Sequence, residues 1–285
     1  MSAPSPPAVA HIQTARDGAV GIITIARPER MNSMDVQTAR EFRKAGLQLA
    51  RDEAVRCVIV QGSGGAFCSG ADLKYIRAGG DQRDFGYLQP EHSVPDGGYG
   101  TGFKEILEYL HSAISEIRRA PKPVLAAVDG VAAAGGLGLA MACDLVFASD
   151  RASFEWAYAK TGLPGAESAT FLLPRLVGFR KAMELVLLNP RLSAHEAREI
   201  GLVTVVFPAA TFEADVMAVA RRLAAGPTKA YGVAKSLLNQ AMGMEQLDYH
   251  LDQELRHLAR VANGADFAEG LAAFFGKRAA GFEGR

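Results

Sequence analysis

Short apolar runs alternate with longer amphipathic stretches along most of the chain. The runs end at glycine, proline or polar residues, as buried and half-buried strands do. They cover residues 19–26, 57–61, 124–128, 145–148 and 153–156. The pattern predicts a strand at each of these places.

Helical spacing fills the intervals between the predicted strands. From Phe103 to Ile117 the apolar positions fall three or four residues apart, on one face of a helix. From about Glu167 onward the chain is mostly helical, with a capping box at Ser193 and Glu196. Strands alternating with helices and followed by a helical tail predict the α/β class with an α-helical C-terminal appendage.

Two stretches carry neither pattern. Residues 1–10 are expected to form a flexible N-terminal tail. Residues 78–102 are rich in Gly, Asp, Pro and Tyr, and this composition over that length predicts a long loop that serves as a lid.

Composition and charge exclude several classes of protein. The 285 residues include 31 Lys or Arg and 31 Asp or Glu, so the chain lacks the basic excess of a general nucleic-acid binder. No apolar run reaches the ~18 residues that a membrane span requires, and no secretory pattern opens the chain. Three cysteines without regular spacing predict free thiols and a cytoplasmic protein. No metal site is expected, because no His, Cys and Asp set has ligand spacing.

Two glycine-flanked segments, residues 67–74 and 130–138, each lie between a predicted strand and helix-like sequence. Backbone N–H groups at a helix start lack intrahelical partners, and small residues let another molecule approach them. Two such N–H groups directed at one oxygen would form an oxyanion hole.

Five segments resemble, in order, the motifs of the enoyl-CoA hydratase/isomerase (crotonase) family. These are residues 27–34, 66–74, 121–130, 139–144 and 272–278. The resemblance implies a crotonase-like spiral of ββα units over residues 11–205 and an α-helical region over 206–285 for trimerisation and contact with coenzyme A. It also implies a homotrimer or a dimer of trimers.

The resemblance further implies that the ligand is an acyl-CoA thioester whose carbonyl oxygen accepts hydrogen bonds from the N–H groups of Ala71 and Gly135. Coenzyme A would be part of the substrate, so no separate cofactor is expected. By the same resemblance, the residues expected to contact the substrate are Arg30, Ser69, Asp72, Leu73, Lys74, Gly136, Trp156, Phe274 and Lys277. Of these, Arg30, Lys74, Phe274 and Lys277 are expected near the nucleotide part.

The residues for acid–base chemistry depart from the hydratase pattern. Hydratases of the family use two glutamates, and the corresponding positions here are Gly138 and Tyr158. Isomerases and the aromatic dehalogenase keep one carboxylate later in the chain, at a position that falls on Ala166, next to Glu167. We expect Glu167 to begin a helix, where the dipole favours its carboxylate and burial raises its pKa. Tyr158 is expected to donate a hydrogen bond.

Alternation along the strand places Phe154, Trp156 and Tyr158 on one face and turns Glu155 the other way. This aromatic row is expected either to face the acyl group or to pack in the core. The lid residues Phe85, Tyr87 and Tyr99 favour a bulky or aromatic acyl group, whereas His111 is expected to be structural.

Together these residues predict an acyl-CoA enzyme that stabilises an enolate and shifts a double bond, with Glu167 moving the proton. Two alternatives stay open: a hydratase in which Glu167 activates water, and an acyl-CoA-binding homologue with little or no turnover. A dinucleotide-binding fingerprint fails at Phe67, no serine has the G-x-S-x-G frame, and Cys68 has no evident histidine partner.

Overall fold

The computed structural model describes residues 10–85 and 98–285. Nearly all of the predicted N-terminal tail, and Tyr87 with much of the predicted lid, lie outside these residues. Of the predicted lid, residues 78–85 and 98–102 are described. The third helix begins at Gly100, three residues before the start that the apolar spacing predicted.

The larger sheet has six strands in the order β1-β2-β3-β4-β6-β9. Only the β1–β2 pair is antiparallel, and the other neighbours pair in parallel. The strands are β1 (Ile12–Asp17), β2 (Val20–Ile25), β3 (Cys57–Gly62), β4 (Val124–Val128), β6 (Leu145–Ser149) and β9 (Val205–Phe207).

A second sheet of three short strands has the order β5-β7-β8. Its strands are β5 (Val131–Ala133), β7 (Ser153–Glu155) and β8 (Arg191–Ser193). Because β5 follows β4 and β7 follows β6, the chain passes from the large sheet to the small one and then into a helix, twice in succession. The predicted α/β fold of ββα units is confirmed.

Helices cover both faces of the large sheet and continue through the C-terminal region. They are α1 (Val36–Arg51), α2 (Leu73–Arg77), α3 (Gly100–Arg119), α4 (Gly135–Ala142), α5 (Ala169–Val177), α6 (Phe179–Leu188), α7 (Ala194–Glu199), α8 (Phe212–Ala225), α9 (Thr228–Ala241), α10 (Leu247–Ala262) and α11 (Ala265–Gly276). Among the residues described, none of these helices combines the length and apolar character of a bilayer span.

The strands β3 and β4 are apolar on both faces because both faces are covered. Val58 and Val60 pack in the core on the side of α1 and α3. Ile59, the residue between them, packs with Leu125 and the buried face of α8 in a second, smaller core. A parallel strand covered in this way reads as a continuous apolar run, which is why the sequence predicted it.

Candidate active site

The two glycine-flanked segments lie side by side. Cys68 forms a parallel bridge with Ala132, and its carbonyl oxygen accepts the N–H of Ala133 at 3.0 Å. A Cβ atom on Gly70 would lie 3.1 Å from the backbone nitrogen of Gly135, and one on Gly136 would collide with the Cys68 carbonyl. The segments approach this closely because each has glycine at the contact.

The N–H groups of Ala71 and Gly135 are the two donors predicted to form the oxyanion hole. Met34 donates to the Gly70 carbonyl and accepts from the Asp72 N–H, both at 2.8 Å, so the Ala71 N–H between them points away from Met34. Gly135 is the first residue of α4, after a turn at Ala134 with φ 47°. Within residues 10–85 and 98–285, neither N–H donates a hydrogen bond to a protein acceptor.

A cavity of about 410 Å³ opens beside these two segments and includes Ala71 and Ala134 in its wall. Most of its wall is apolar, with side chains from five parts of the chain: Leu73, Phe103, Leu163, Leu258 and Phe275. Its polar groups include Glu155, Lys160, Tyr158 and Glu167. The cavity therefore has a largely apolar wall that includes Ala71 and the carboxyl group of Glu167, whereas Gly135 is buried next to Ala134 and does not line it.

Glu167 brings its carboxyl group to the wall of the cavity, over Gly135. A Cβ atom on Gly135 would lie 2.7 Å from Oε1 of Glu167. The side chain is buried, and its Oε2 accepts a hydrogen bond from the hydroxyl of Tyr158. Burial raises the pKa of Glu167 to about 7; the Tyr158 hydrogen bond opposes this rise, and the charge of Glu254 adds to it.

The expectation that Glu167 begins a helix is wrong. Helix α5 begins at Ala169, and both Glu167 (φ 53°) and Ser168 (φ 62°) lie in the left-handed region before it. The N–H of Glu167 donates to Nε2 of His111 at 3.2 Å rather than lying free at a helix start. Burial is thus the largest cause of the raised pKa of Glu167.

Gly138 and Tyr158, the two positions where the resemblance implies glutamates in hydratases, both lie against Glu167 here. A Cβ atom on Gly138 would lie 3.0 Å from Cβ of Glu167 and would collide with its carbonyl oxygen. Tyr158 is buried, and its hydroxyl lies between Oε2 of Glu167 and the carbonyl oxygen of Ala166, 3.1 Å away. Burial and the charge of Glu167 raise the pKa of Tyr158 well above its ordinary value, so it is a neutral donor.

The predicted alternation at Trp156 is wrong, because β7 ends at Glu155. Ala157 has φ 58°, and its N–H donates to Oδ1 of Asn189 at 2.7 Å, which turns the chain. Glu155 consequently lines the cavity together with Tyr158. Trp156 does not line it and is buried against Gly165, where a Cβ atom would lie 2.6 Å from the indole ring.

The other predicted contact residues divide into two groups. The cavity is lined by Arg30, Ser69, Asp72, Leu73, Lys74 and Phe274, and not by Gly136 or Lys277. Lys277 is an exposed residue in the left-handed region at the end of α11, and Gly136 packs against the Cys68 carbonyl.

Asp72 lines the cavity, but its carboxylate already has partners. Its Oδ1 accepts the N–H groups of Lys74 and Tyr75 at 3.0 and 3.1 Å and so caps α2. Its Oδ2 pairs with Arg27 at 3.1 Å. Asp72 therefore shapes the segment that carries Ala71, and both of its carboxylate oxygens have protein partners.

Sequence analysis missed Glu254. This residue lies on α10, and its carboxyl group accepts the backbone N–H of Ser168 at 2.8 Å. The signal was present, because Glu254 stands on the same helical face as Leu247, Leu251 and Leu258. A carboxyl group among buried leucines needs a partner, and here the partner is the turn that carries Glu167.

Cysteine and metal chemistry find no support at this site. Burial raises the pKa of Cys68 to about 12, so its thiol is not ionised near neutral pH and is no nucleophile. In the part of the chain that the structure describes, no group of three His, Cys, Asp or Glu residues is arranged to hold a metal ion.

Comparisons with known proteins agree with this architecture. The family described as enoyl-CoA hydratase/isomerase matches residues 15–93 and 101–285. The chain is 34% identical to a 4-chlorobenzoyl coenzyme A dehalogenase from Arthrobacter sp., covering 94% of this chain and 91% of the relative. It is 34% identical to the 1,2-epoxyphenylacetyl-CoA isomerase of Escherichia coli K12, covering 92% and 94%.

A solved structure of an enoyl-CoA hydratase from Mycobacterium avium subsp. paratuberculosis K-10 superposes with a TM-score of 0.83 at 33% identity, covering 97% of this chain and 100% of that one. The sequence motifs, the repeated ββα units and these matches over nearly the whole length lead to one conclusion. The chain belongs to the enoyl-CoA hydratase/isomerase family, whose members act on acyl-CoA thioesters.

Proposed function

We propose that this protein binds an acyl-CoA thioester, stabilises its enolate with the N–H groups of Ala71 and Gly135, and moves a proton with Glu167. The observation that carries the proposal is the position of the Glu167 carboxyl group. It lies over Gly135 on the wall of a largely apolar cavity that also includes Ala71, and among the described residues neither the Ala71 nor the Gly135 N–H has a protein acceptor. Preorganised donors of this kind contribute most where negative charge develops on oxygen.

The reaction follows from this arrangement. The thioester carbonyl accepts both N–H groups, which lowers the cost of removing a neighbouring proton. Glu167 in its carboxylate form takes that proton from the acyl chain, and the electrons of the C–H bond pass to the carbonyl oxygen as an enolate. Removal of the α-proton of a β,γ-unsaturated thioester gives a dienolate, and return of the proton to the γ-carbon moves the double bond from the β,γ to the α,β position. Removal from the γ-carbon and return to the α-carbon moves it back. A base with a pKa near 7 suits both half-reactions.

The apolar cavity wall and the names of the relatives both favour an acyl group with an aromatic ring. The relatives named above act on a 4-chlorobenzoyl and an epoxyphenylacetyl thioester. The wall of the cavity here includes Phe103, Leu163 and Leu258, which offer apolar contact to a ring. Arg30 and Lys74 lie on the same wall and would pair with phosphates of coenzyme A.

We also propose that the protein works as a homo-oligomer, a trimer or a dimer of trimers. Phe179 and Leu187 on α6 are 74% and 68% exposed, and Val233 and Leu237 on α9 are 61% and 60% exposed. Large apolar side chains at such exposure are typical of surfaces that another chain covers. Light scattering on the purified protein tests the mass.

The central experiment is deuterium uptake from heavy water into a panel of acyl-CoA thioesters, including aromatic ones, with product mass followed in parallel. Wild type is expected to exchange α- or γ-hydrogens, and Glu167→Gln to exchange about 10²–10⁴-fold more slowly, the usual contribution of general acid–base catalysis. Glu245→Gln, the same change at an exposed residue, is the control and should match wild type.

The same experiment separates the alternatives. Equal exchange by wild type and Glu167→Gln would remove Glu167 from the mechanism. A product heavier by one water that depends on Glu167 would favour the hydratase alternative. Binding of thioesters without exchange of any of them would favour the binding homologue.

A further inference from the structure

Helix α5 takes its N-terminal cap from a different helix. No side chain of its own segment caps it. Instead Glu254 on α10 accepts the N–H of Ser168 at 2.8 Å through Oε2, and the N–H and hydroxyl of Thr170 through Oε1, the N–H at 3.0 Å. One buried carboxyl group thus holds the two residues on either side of the first residue of α5.

The turn that Glu254 holds is strained. Glu167 and Ser168 both have positive φ, a conformation that is unfavourable for residues other than glycine. Such a turn persists only when its surroundings fix it. Glu254 fixes it from the side of α10, and His111 fixes it from α3 by accepting the Glu167 N–H.

The groups that face Glu254 do not neutralise it. His111 Nε2 lies 3.8 Å from Oε2 of Glu254, but it accepts the Glu167 N–H and burial lowers the pKa of His111 to about 3, so this histidine is neutral. His250 Nε2 lies 3.7 Å from Oε1, and burial and the charge of Arg175 lower the pKa of His250. Burial and the charge of Glu167 also keep Tyr158 neutral, so among the groups described around Glu254 the other carboxyl group with a pKa raised to about 7 is that of Glu167.

We propose that Glu254 is a positioning residue for Glu167, which holds the turn at residues 167–168 by its carboxyl oxygens and is coupled electrostatically to the Glu167 carboxyl group. The proposal rests on the role of Glu167 proposed above. Oε2 of Glu254 accepts the N–H of Ser168, the residue directly after Glu167, and lies 3.8 Å from the His111 Nε2 that accepts the Glu167 N–H, so the two buried carboxyl groups flank one turn. Burial raises the pKa of each to about 7, and the charge of Glu254 adds to the rise for Glu167. Groups coupled in this way release their protons in two steps that belong to the pair.

Carbon-13 NMR of protein labelled at the glutamate side-chain carboxyl carbons tests the coupling without any substrate. Wild type is expected to show two carboxyl signals that titrate near pH 7, each over a wider pH range than a single group. Glu254→Gln should remove one signal and leave the other with a one-step titration at lower pH, because the neighbouring negative charge is gone. Glu245→Gln should leave both signals unchanged.

The reciprocal variant keeps the test decisive if Glu254→Gln does not fold. In Glu167→Gln the remaining signal, that of Glu254, must move to lower pH by the same amount, because coupling between two sites is reciprocal. An unchanged titration of the remaining signal in either variant would overturn the proposal.

Deuterium exchange gives a second readout. The exchange rate should fall on the acid side of its pH profile, where Glu167 becomes protonated; we call this part the acid limb. In Glu254→Gln the acid limb should move to lower pH, whereas Glu254→Asp, which keeps the charge, should leave it near its wild-type position. A uniform loss of exchange at every pH with no movement of the limb would reduce Glu254 to a structural residue. If wild type exchanges no thioester, the proposed function fails, while the NMR titration still decides whether the two carboxyl groups are coupled.

Discussion

Replacing Tyr158 with Phe tests whether the tyrosine hydroxyl keeps Glu167 ready to act as a base. The change removes one oxygen and keeps the ring, which packs 5.0 Å from the ring of Trp156. The hydroxyl donates to the Glu167 carboxylate and thereby lowers its pKa against the effect of burial. Without this donor the ionised form of Glu167 loses its partner, so the pKa of Glu167 should rise above about 7.

The size of the rise follows from what the hydroxyl does in each state. A hydrogen bond to a charged group contributes about 1.5–3 kcal/mol, which would correspond to about one to two pKa units if it existed only in the ionised state. When Glu167 is protonated, however, the hydroxyl can donate to the carbonyl oxygen of Ala166, 3.1 Å away. That alternative bond retains part of the energy, so we expect a rise of about one unit.

The assay is the pH dependence of deuterium exchange into the best thioester of the panel. The acid limb of the Tyr158→Phe profile should lie about one unit above that of wild type, with about fivefold slower exchange at pH 7 and recovery of the rate at high pH. Tyr249→Phe makes the same chemical change at a side chain that is 67% exposed and should leave the profile unchanged. An acid limb that stays in place in Tyr158→Phe would refute the reasoning.

Three further variants address the same site. Gly135→Ala places a Cβ atom 2.7 Å from Oε1 of Glu167, so exchange should fall by about 10²-fold, whereas Gly46→Ala on α1, where a Cβ atom meets nothing within 4 Å, should not change it. Gly138→Glu should lower the melting temperature without creating hydration, because its side chain collides with the Glu167 turn; a water-addition product would contradict this. Burial raises the pKa of Glu167 from its ordinary 4.5 to about 7, so the protonated form is the stable one, and the stability it contributes is present below pH 4.5 and lost as pH rises to 7. The melting temperature of Glu167→Gln relative to wild type should therefore increase between pH 5 and pH 8, and a constant difference would show that Glu167 does not titrate in this range.

The sequence predicted the elements whose pattern is set by local burial. Strands β3 and β4 are apolar on both faces because helices cover both, so their runs are continuous and unmistakable. Helix α3 shows its buried face at regular spacing, although it starts at Gly100 rather than at Phe103. The two glycine-flanked segments were recognised because close backbone contact leaves only glycine at positions such as 70 and 136.

The sequence could not predict the features that depend on contacts between distant segments. Alternation failed beyond Glu155 because Asn189, from the end of α6, binds the N–H of Ala157 and turns the chain there. The left-handed turn at Glu167 depends on His111 and Glu254, which lie 56 and 86 residues from their partners Glu167 and Ser168. No local propensity favours such a turn, since neither residue in it is glycine.

Gly138 and Tyr158, where the resemblance implies glutamates in hydratases, both contribute to the arrangement around Glu167. Because Gly138 has no side chain, the Glu167 turn can pack directly against it. The Tyr158 hydroxyl donates to the Glu167 carboxylate and partly offsets the rise in its pKa that burial causes. Restoring a glutamate at position 138 would displace the turn, and restoring one at position 158 would place a second acid against Glu167 and raise its pKa further. A change at either position works against Glu167, so a return to two-glutamate chemistry requires coordinated changes at all three positions.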